Sequence, residues 1–187
     1  MPWKDITYLK TGTQRQKEVY STLQELNVLH TLRDYNATLV STICLDIDVP
    51  ESDLDIICQF LAADKFEFTL QKEFKDHRDF SISRTGSENS VQIVAEFKSG
   101  NFIIEIFGSV LPIEEQNAYR HLSVARRLIK LGGDSFREKL RNLKSKGFKT
   151  EAAIAELLNL SGDPYAAVLK LEEASDRHLL SLISVKV

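Results

Sequence analysis

The chain has 187 residues, enough for one sizeable core or for a small α/β domain with a helical appendage. Hydrophobic residues make up 43% and charged residues 27%, and the net charge of −3 gives no global sign of a nucleic-acid partner. No stretch approaches the roughly 20 apolar residues that a membrane span requires, so no membrane partner is expected.

In chain order, residues 14–26 read as an amphipathic helix, with Val19, Leu23 and Leu26 at helical spacing and Thr11 or Thr13 as its cap. Residues 37–42 and 53–58 read as strands, rich in β-branched and aliphatic side chains. Residues 43–52 between them hold Pro50 and alternating aspartates and are expected to form an ordered loop. Residues 64–77 read as a helix carrying Phe66, Leu70 and Phe74 on one side. Strands follow at 80–84, 91–98 and 101–107, the last two joined at Ser99-Gly100 by a two-residue turn. That turn pairs Lys98 with Asn101 and sets Val94 opposite Glu105.

From Pro112 onward the pattern is helical. Gly132-Gly133 ends one helix and Asp134 caps the next; Gly147 ends that one and Thr150 is the expected cap of a short Ala/Leu-rich helix. Ser161-Gly162-Asp163-Pro164 reads as helix stop, N-cap and N1 proline. The class is therefore α+β, with a mixed-sheet core over residues 1–110 and a helical region over 111–187.

The start, Met1-Pro-Trp-Lys-Asp-Ile, lacks a basic n-region followed by an apolar run, so a cytoplasmic location is expected. Cys44 and Cys58 are then expected as thiols in a reducing compartment. Neither they nor His30, His77, His121 and His178 show zinc-ligand spacing.

The main chemical signal is Ser52-Asp53-Leu54-Asp55-Ile56-Ile57-Cys58. In a strand, residues i and i+2 share a face, which sets Asp53 and Asp55 side by side with Cα atoms about 6–7 Å apart. Two such carboxylates repel unless a cation lies between them, and Mg²⁺ (or Mn²⁺) suits oxygen ligands while keeping positions for water and phosphate. Glu105 stands alone in the apolar run Phe102-Ile103-Ile104-Glu105-Ile106-Phe107. Phe102, Ile104 and Ile106 are expected to share a core face with Ile93, Ala95 and Phe97, leaving Glu105 on the other face with Gln92, Val94 and Glu96. Taken singly, an Asp-x-Asp pair also suits a solvated strand face, and a lone glutamate also suits an edge strand that resists aggregation.

Leu39-Val40-Ser41-Thr42, ten residues, then Asp53-Leu54-Asp55-Ile56 resembles the signature of the nucleotidyltransferase superfamily, the DNA polymerase β-like fold. That signature is a hydrophobic residue, Gly, then Gly or Ser, a spacer, and Asp-hydrophobic-Asp/Glu-hydrophobic. The resemblance implies a nucleotidyltransferase-like mixed β-sheet with flanking helices, and a catalytic metal triad of Asp53, Asp55 and Glu105. It also implies nucleotide contacts from Ser41, Thr42 and Ser52, with Ser41 and Thr42 on the rim of the carboxylate cavity. Ser41 stands where the superfamily usually has glycine; its hydroxyl is itself a potential phosphate donor. The run from Asn101 through Glu114-Glu115-Gln116-Asn117-Ala118-Tyr119-Arg120-His121 to Gly162-Asp163-Pro164-Tyr165 resembles an uncharacterised bacterial family within that superfamily.

Between Arg120 and Lys149 stand ten Lys or Arg residues against Asp134 and Glu138, a formal charge of +8. Such asymmetry marks either a polyanion site or the solvated faces of amphipathic helices. Arg120, Arg126, Arg127 and Lys130 share the first helix after the hairpin, and this helix, with Arg120 and Arg127 on one stripe, is the expected clamp for a triphosphate or an acceptor. The expected partner is a nucleoside triphosphate, and the acceptor (a small molecule, a protein or RNA) is left open. The expected activity is transfer of a nucleoside monophosphate from that triphosphate to the acceptor. The alternatives are a non-catalytic nucleotide-binding module and a nucleic-acid-associated adaptor retaining the fold.

Overall fold

The computed structural model describes residues 4–87 and 90–184. The chain divides into two compact units, Met1–Cys44 with Ser52–Gln116, and Leu45–Glu51 with Asn117–Val187.

In the first unit a 3-10 helix (Thr7–Thr11) leads into α1 (Gln14–Glu25), whose start is fixed by a reciprocal capping box. The Thr13 hydroxyl accepts from the Gln16 amide, and the Gln16 side chain accepts from the Thr13 amide at 3.0 Å. Gln16 also donates to the Ile43 carbonyl at 2.8 Å, a buried link between the helix and the segment that follows β1. After the single-turn α2 (Val28–Thr31) comes β1 (Thr38–Leu39), far shorter than the strand expected at 37–42. The backbone leaves the sheet there and turns into a 3-10 helix, Thr42–Leu45, inside the segment expected to be loop.

The remaining sheet elements are β2 (Leu54–Gln59), β3 (Arg78–Thr85), β4 (Gln92–Ser99) and β5 (Phe102–Ser109), with α3 (Ala63–Phe74) between β2 and β3. The strand order is β1-β2-β5-β4-β3, with β2 and β5 parallel and every other pair antiparallel. This is the mixed sheet of an α+β protein.

One face of the sheet is core. Leu54, Ile56 and Cys58 of β2, Ile104 and Ile106 of β5, and Ile93, Ala95 and Phe97 of β4 are fully buried. They meet Phe66, Leu70 and Phe74 of α3, the stripe read from the sequence, and the Phe74 and Phe97 rings stack at 5.2 Å. Each Leu, Ile or Phe among them contributes about 1.5–3 kcal/mol by burial, an upper figure because the unfolded chain already hides part of its surface. Gly108 lets α3 come this close: a Cβ there would lie 2.1 Å from a Phe66 ring carbon.

The β4–β5 hairpin has the expected faces and a different register. Ser99 pairs with Phe102, so the two turn residues are Gly100 and Asn101, and Glu105 faces Glu96 where Val94 was expected. Gly100 at φ +56° takes the first central position, which wants positive φ in the II′ turns that suit hairpin twist. The shift moves each partner by two residues, so the alternation of faces survives.

The second unit is helical: α4 (Asn117–Lys144), α5 (Thr150–Leu158), α6 (Pro164–Lys170) and α7 (Asp176–Ser184). α4 is two helices joined at a kink, where Gly133 has φ 64° and ψ −160°. Asp163 caps α6 by accepting from the Ala166 amide at 2.8 Å, with Pro164 at N1, as the sequence predicts. Thr150 is not a cap: Lys149 holds that position, and the Thr150 hydroxyl instead accepts from Lys144 Nζ at 3.2 Å. Among the described residues no helix is long and apolar enough to cross a membrane.

Candidate functional site

Asp55 is the second residue of β2, and its Cα partner on the parallel neighbour β5 is Glu105. Residues paired this way point to the same face across a spacing of about 4.8 Å. Leu54, Ile56, Ile104 and Ile106 occupy the buried face, so the pleat turns Asp55 and Glu105 to the opposite one. Both are partly exposed. Glu96 extends the row: it is the partner of Glu105 on β4 and is exposed. Three carboxylates from three adjacent strands thus share one rung, and only the register reveals the third.

Asp53 sits in the loop immediately before β2, partly exposed. Among the described residues, no ion pair or side-chain hydrogen bond engages its carboxylate. Its backbone carbonyl, by contrast, accepts a 2.7 Å hydrogen bond from the Ser41 hydroxyl. Ser41 is wholly buried, at 0% exposure, and so is not on an exposed rim as expected. Thr42 opens the 3-10 turn and is partly exposed, as is Ser52.

Sequence reading missed Arg15. Its guanidinium donates to the Ser52 carbonyl at 3.4 Å and lies 5.1 Å from the centre of the Phe102 ring. This sets a cation at the entrance of the acidic strand. Nothing in the pattern of α1 marks that arginine, because the contact depends on how the helix meets the sheet.

The negative charge of Asp55 is felt locally. Burial pushes the Cys44 thiol up to about 12; a hydrogen bond with Tyr8 acts against the rise, and the Asp55 charge adds to it. Burial also raises Cys58, and both cysteines are free thiols.

Arg120 and Arg127 belong to the helical unit, and each already has a carboxylate. Arg120 donates to Glu172 at 2.7 and 2.9 Å, and Arg127 donates to Asp176 at 2.7 Å and to the Glu172 carbonyl at 3.3 Å. These pairs brace α4 against the 3-10 turn Leu171–Glu173 and the start of α7.

Among the described residues, no three His, Cys, Asp or Glu side chains are grouped as a ready-made metal cage. The donor set instead offers Asp55 and Glu105 in register, with the unengaged Asp53 carboxylate two residues ahead of Asp55. That composition fits a hard cation such as Mg²⁺, which usually takes one or two carboxylates, keeps several waters and completes its shell from substrate phosphates. A shallow cavity of about 220 Å³ lies elsewhere, lined by Phe60, Leu61, Ala62, Arg84, Val91 and Val110. It opens at the far end of β2 and contains none of the three carboxylates.

Comparison with known proteins adds a family. No curated protein matches the chain. Among solved structures it is similar to one described as "Structure and function of the polymerase core of TRAMP, a RNA surveillance complex", with a TM-score of 0.46 and 14% identity. That match covers 92% of this chain and 57% of the other, so the chain spans little more than half the length of that relative. The family model described as "Domain of unknown function (DUF4269)" matches residues 21–171, and the chain belongs to that family.

Proposed function

We propose that this member of the family is a metal-dependent nucleotidyltransferase, moving a nucleoside monophosphate from a nucleoside triphosphate to an acceptor hydroxyl. The observation that carries the reading is the register match of Asp55 and Glu105 on neighbouring parallel strands, with Asp53 just ahead. The motif Leu39-Val40-Ser41-Thr42 followed after ten residues by Asp53-Leu54-Asp55-Ile56 supports it independently.

Asp53, Asp55 and Glu105 would hold Mg²⁺ (or Mn²⁺), which supplies Lewis-acid stabilisation of the phosphoryl charge. The Glu105 carboxylate would take the proton of the acceptor hydroxyl. The acceptor oxygen then bonds to the α-phosphorus as the bond to the bridging oxygen breaks, and pyrophosphate leaves. Thr42 and Ser52 would donate to phosphate oxygens. The acceptor is defined only by its hydroxyl, on a small molecule, a protein or RNA.

Arg120 and Arg127 would reach phosphate only by leaving Glu172 and Asp176. That pairing leaves no ready triphosphate clamp on these two arginines and so counts against turnover; the second reading is a nucleotide-binding or nucleic-acid-associated module of the same fold without turnover. Incubating the full chain with each of the four ribonucleoside triphosphates, Mg²⁺ or Mn²⁺, and pools of metabolites or RNA separates the two. Transfer predicts metal-dependent release of pyrophosphate that falls at least about 100-fold in Asp55→Ala, the scale of losing one preorganised charge contact. Nucleotide binding without release in any pool would support the module. Absence of both binding and release would overturn both readings.

A further inference from the structure

We propose that Ser41 is a positioning residue: its buried hydroxyl holds the Asp53 peptide in place so that the Asp53 carboxylate stands at the metal site, and it does not touch substrate. The inference rests on the metal reading above and changes the role of Ser41 within it.

The β1–β2 register carries the argument. Thr38 pairs with Ile57 and Leu39 with Ile56, and the Val40 amide donates to the Asp55 carbonyl at 2.8 Å. In an antiparallel ladder the next bond toward the strand entrance belongs to the residue two further along, so the Thr42 amide would donate to the Asp53 carbonyl. The backbone does not stay to make that bond, because it turns into the 3-10 helix Thr42–Leu45 at this point. The Ser41 hydroxyl takes its place, donating to the Asp53 carbonyl at 2.7 Å. One side chain therefore extends the ladder by a rung after the main chain has left it.

The same hydroxyl accepts from the Ile43 amide at 3.4 Å, and the Ser41 carbonyl accepts from the Cys44 amide at 3.0 Å. Ser41 thus couples the turn to the loop that presents Asp53. At 0% exposure it has no path to a phosphate without unpacking. The carbonyl it grips is that of Asp53 itself, so the bond fixes the peptide plane next to the Asp53 Cα and with it the starting direction of the carboxylate. Glycine at this position would allow close backbone approach but would supply no donor. An alanine would keep the volume and leave the Asp53 carbonyl without this partner.

The test measures Mn²⁺ binding to the full chain by the electron paramagnetic resonance signal of free Mn²⁺, well below the melting temperature, in wild type, Ser41→Ala and Asp53→Asn. Stability in chelator is measured in parallel. Expected is saturable binding in wild type and loss of binding in Asp53→Asn. Ser41→Ala should weaken binding by about 3- to 10-fold, the affinity equivalent of one modest hydrogen bond. Ser41→Cys, close in size with a weaker donor, should fall between wild type and alanine, and serves if the alanine variant does not fold. Wild-type Mn²⁺ affinity in Ser41→Ala, even with a lowered melting temperature, would overturn the positioning role and leave the metal site standing. Failure of the wild type to bind Mn²⁺ would remove the metal site, and the positioning role with it.

Discussion

Replacing Asp53 by asparagine separates a metal site from an ordinary acidic surface without knowledge of the substrate. Asp53 and Asp55 are two residues apart at the entrance of β2, and extended backbone over that step would space them by about 6 Å. At an effective dielectric of about 20 the repulsion is near 3 kcal/mol, and solvent at these partly exposed side chains reduces it to a fraction of that. Among the described residues the Asp53 carboxylate has no partner that asparagine would forfeit, and its carbonyl bond to Ser41 survives the change. Asp53→Asn should therefore leave the metal-free protein as stable as wild type or up to about 1 kcal/mol more stable. Excess Mn²⁺ should stabilise the wild type by about 2.7 kcal/mol at 100 times its dissociation constant, and the variant by far less. Urea denaturation of both proteins, in chelator and in Mn²⁺, reads all four quantities. A loss above about 1 kcal/mol in chelator, as a removed cap would give, together with no response of the wild type to metal, would refute the reasoning.

Two predictions concern the scaffold. Gly133→Ala should cost about 1–3 kcal/mol in chemical denaturation, because φ 64° with ψ −160° is open essentially to glycine alone, and no neighbour within 4 Å complicates the reading. A change below about 0.5 kcal/mol would mean that α4 straightens without penalty. Alkaline pH should destabilise the first unit through Cys44: its folded value near 12 exceeds that of an exposed thiol, so the native state keeps a proton that the unfolded chain loses. Stability intact below about pH 8.5 should then erode toward pH 12 by up to about 1.4 kcal/mol per pH unit, and urea midpoints across pH 7–10 should fall less steeply in Cys44→Ala.

Much of the first unit was legible because its signals are local. The Thr13 cap needs only Gln16 three residues on, and the α3 stripe needs only the helical period. The sheet faces were legible for the same reason: alternation along one strand sets which side chains share a face. Register is different, since it depends on which two residues form the turn. Reading Ser99-Gly100 where Gly100-Asn101 occurs displaced every β4–β5 pair by two positions and hid Glu96 behind Val94. Because the displacement was even, Glu105 stayed on the correct face. Ser41 was less legible. A small hydroxyl residue next to the motif reads as a phosphate contact, but its burial follows from a strand that ends at Leu39 where the sequence still looks extended.

The basic segment shows where a one-dimensional reading of charge stops working. Its formal +8 counts only the acids lying between Arg120 and Lys149. Arg137 meets Asp134 within the segment, but the acids that meet three other arginines come from elsewhere: Glu172 to Arg120, Asp176 to Arg127, and Asp46 to Arg141 at 2.7 Å, across 52, 49 and 95 residues of chain. Each partner lies within the helical unit, so the pairing needs only that unit to fold. Arg120 and Glu172 keep 33% and 39% of their side chains in solvent, so the pair contributes no more than about 1 kcal/mol to stability. Its larger effect is on the field, since a guanidinium bonded to a carboxylate attracts a distant phosphate far less than a free one. A clamp built from Arg120 and Arg127 would have to compete with these two carboxylates. Asp53 needs no such exchange, and that asymmetry is why the carboxylates at the entrance of β2, and not the basic helix, carry the functional reading.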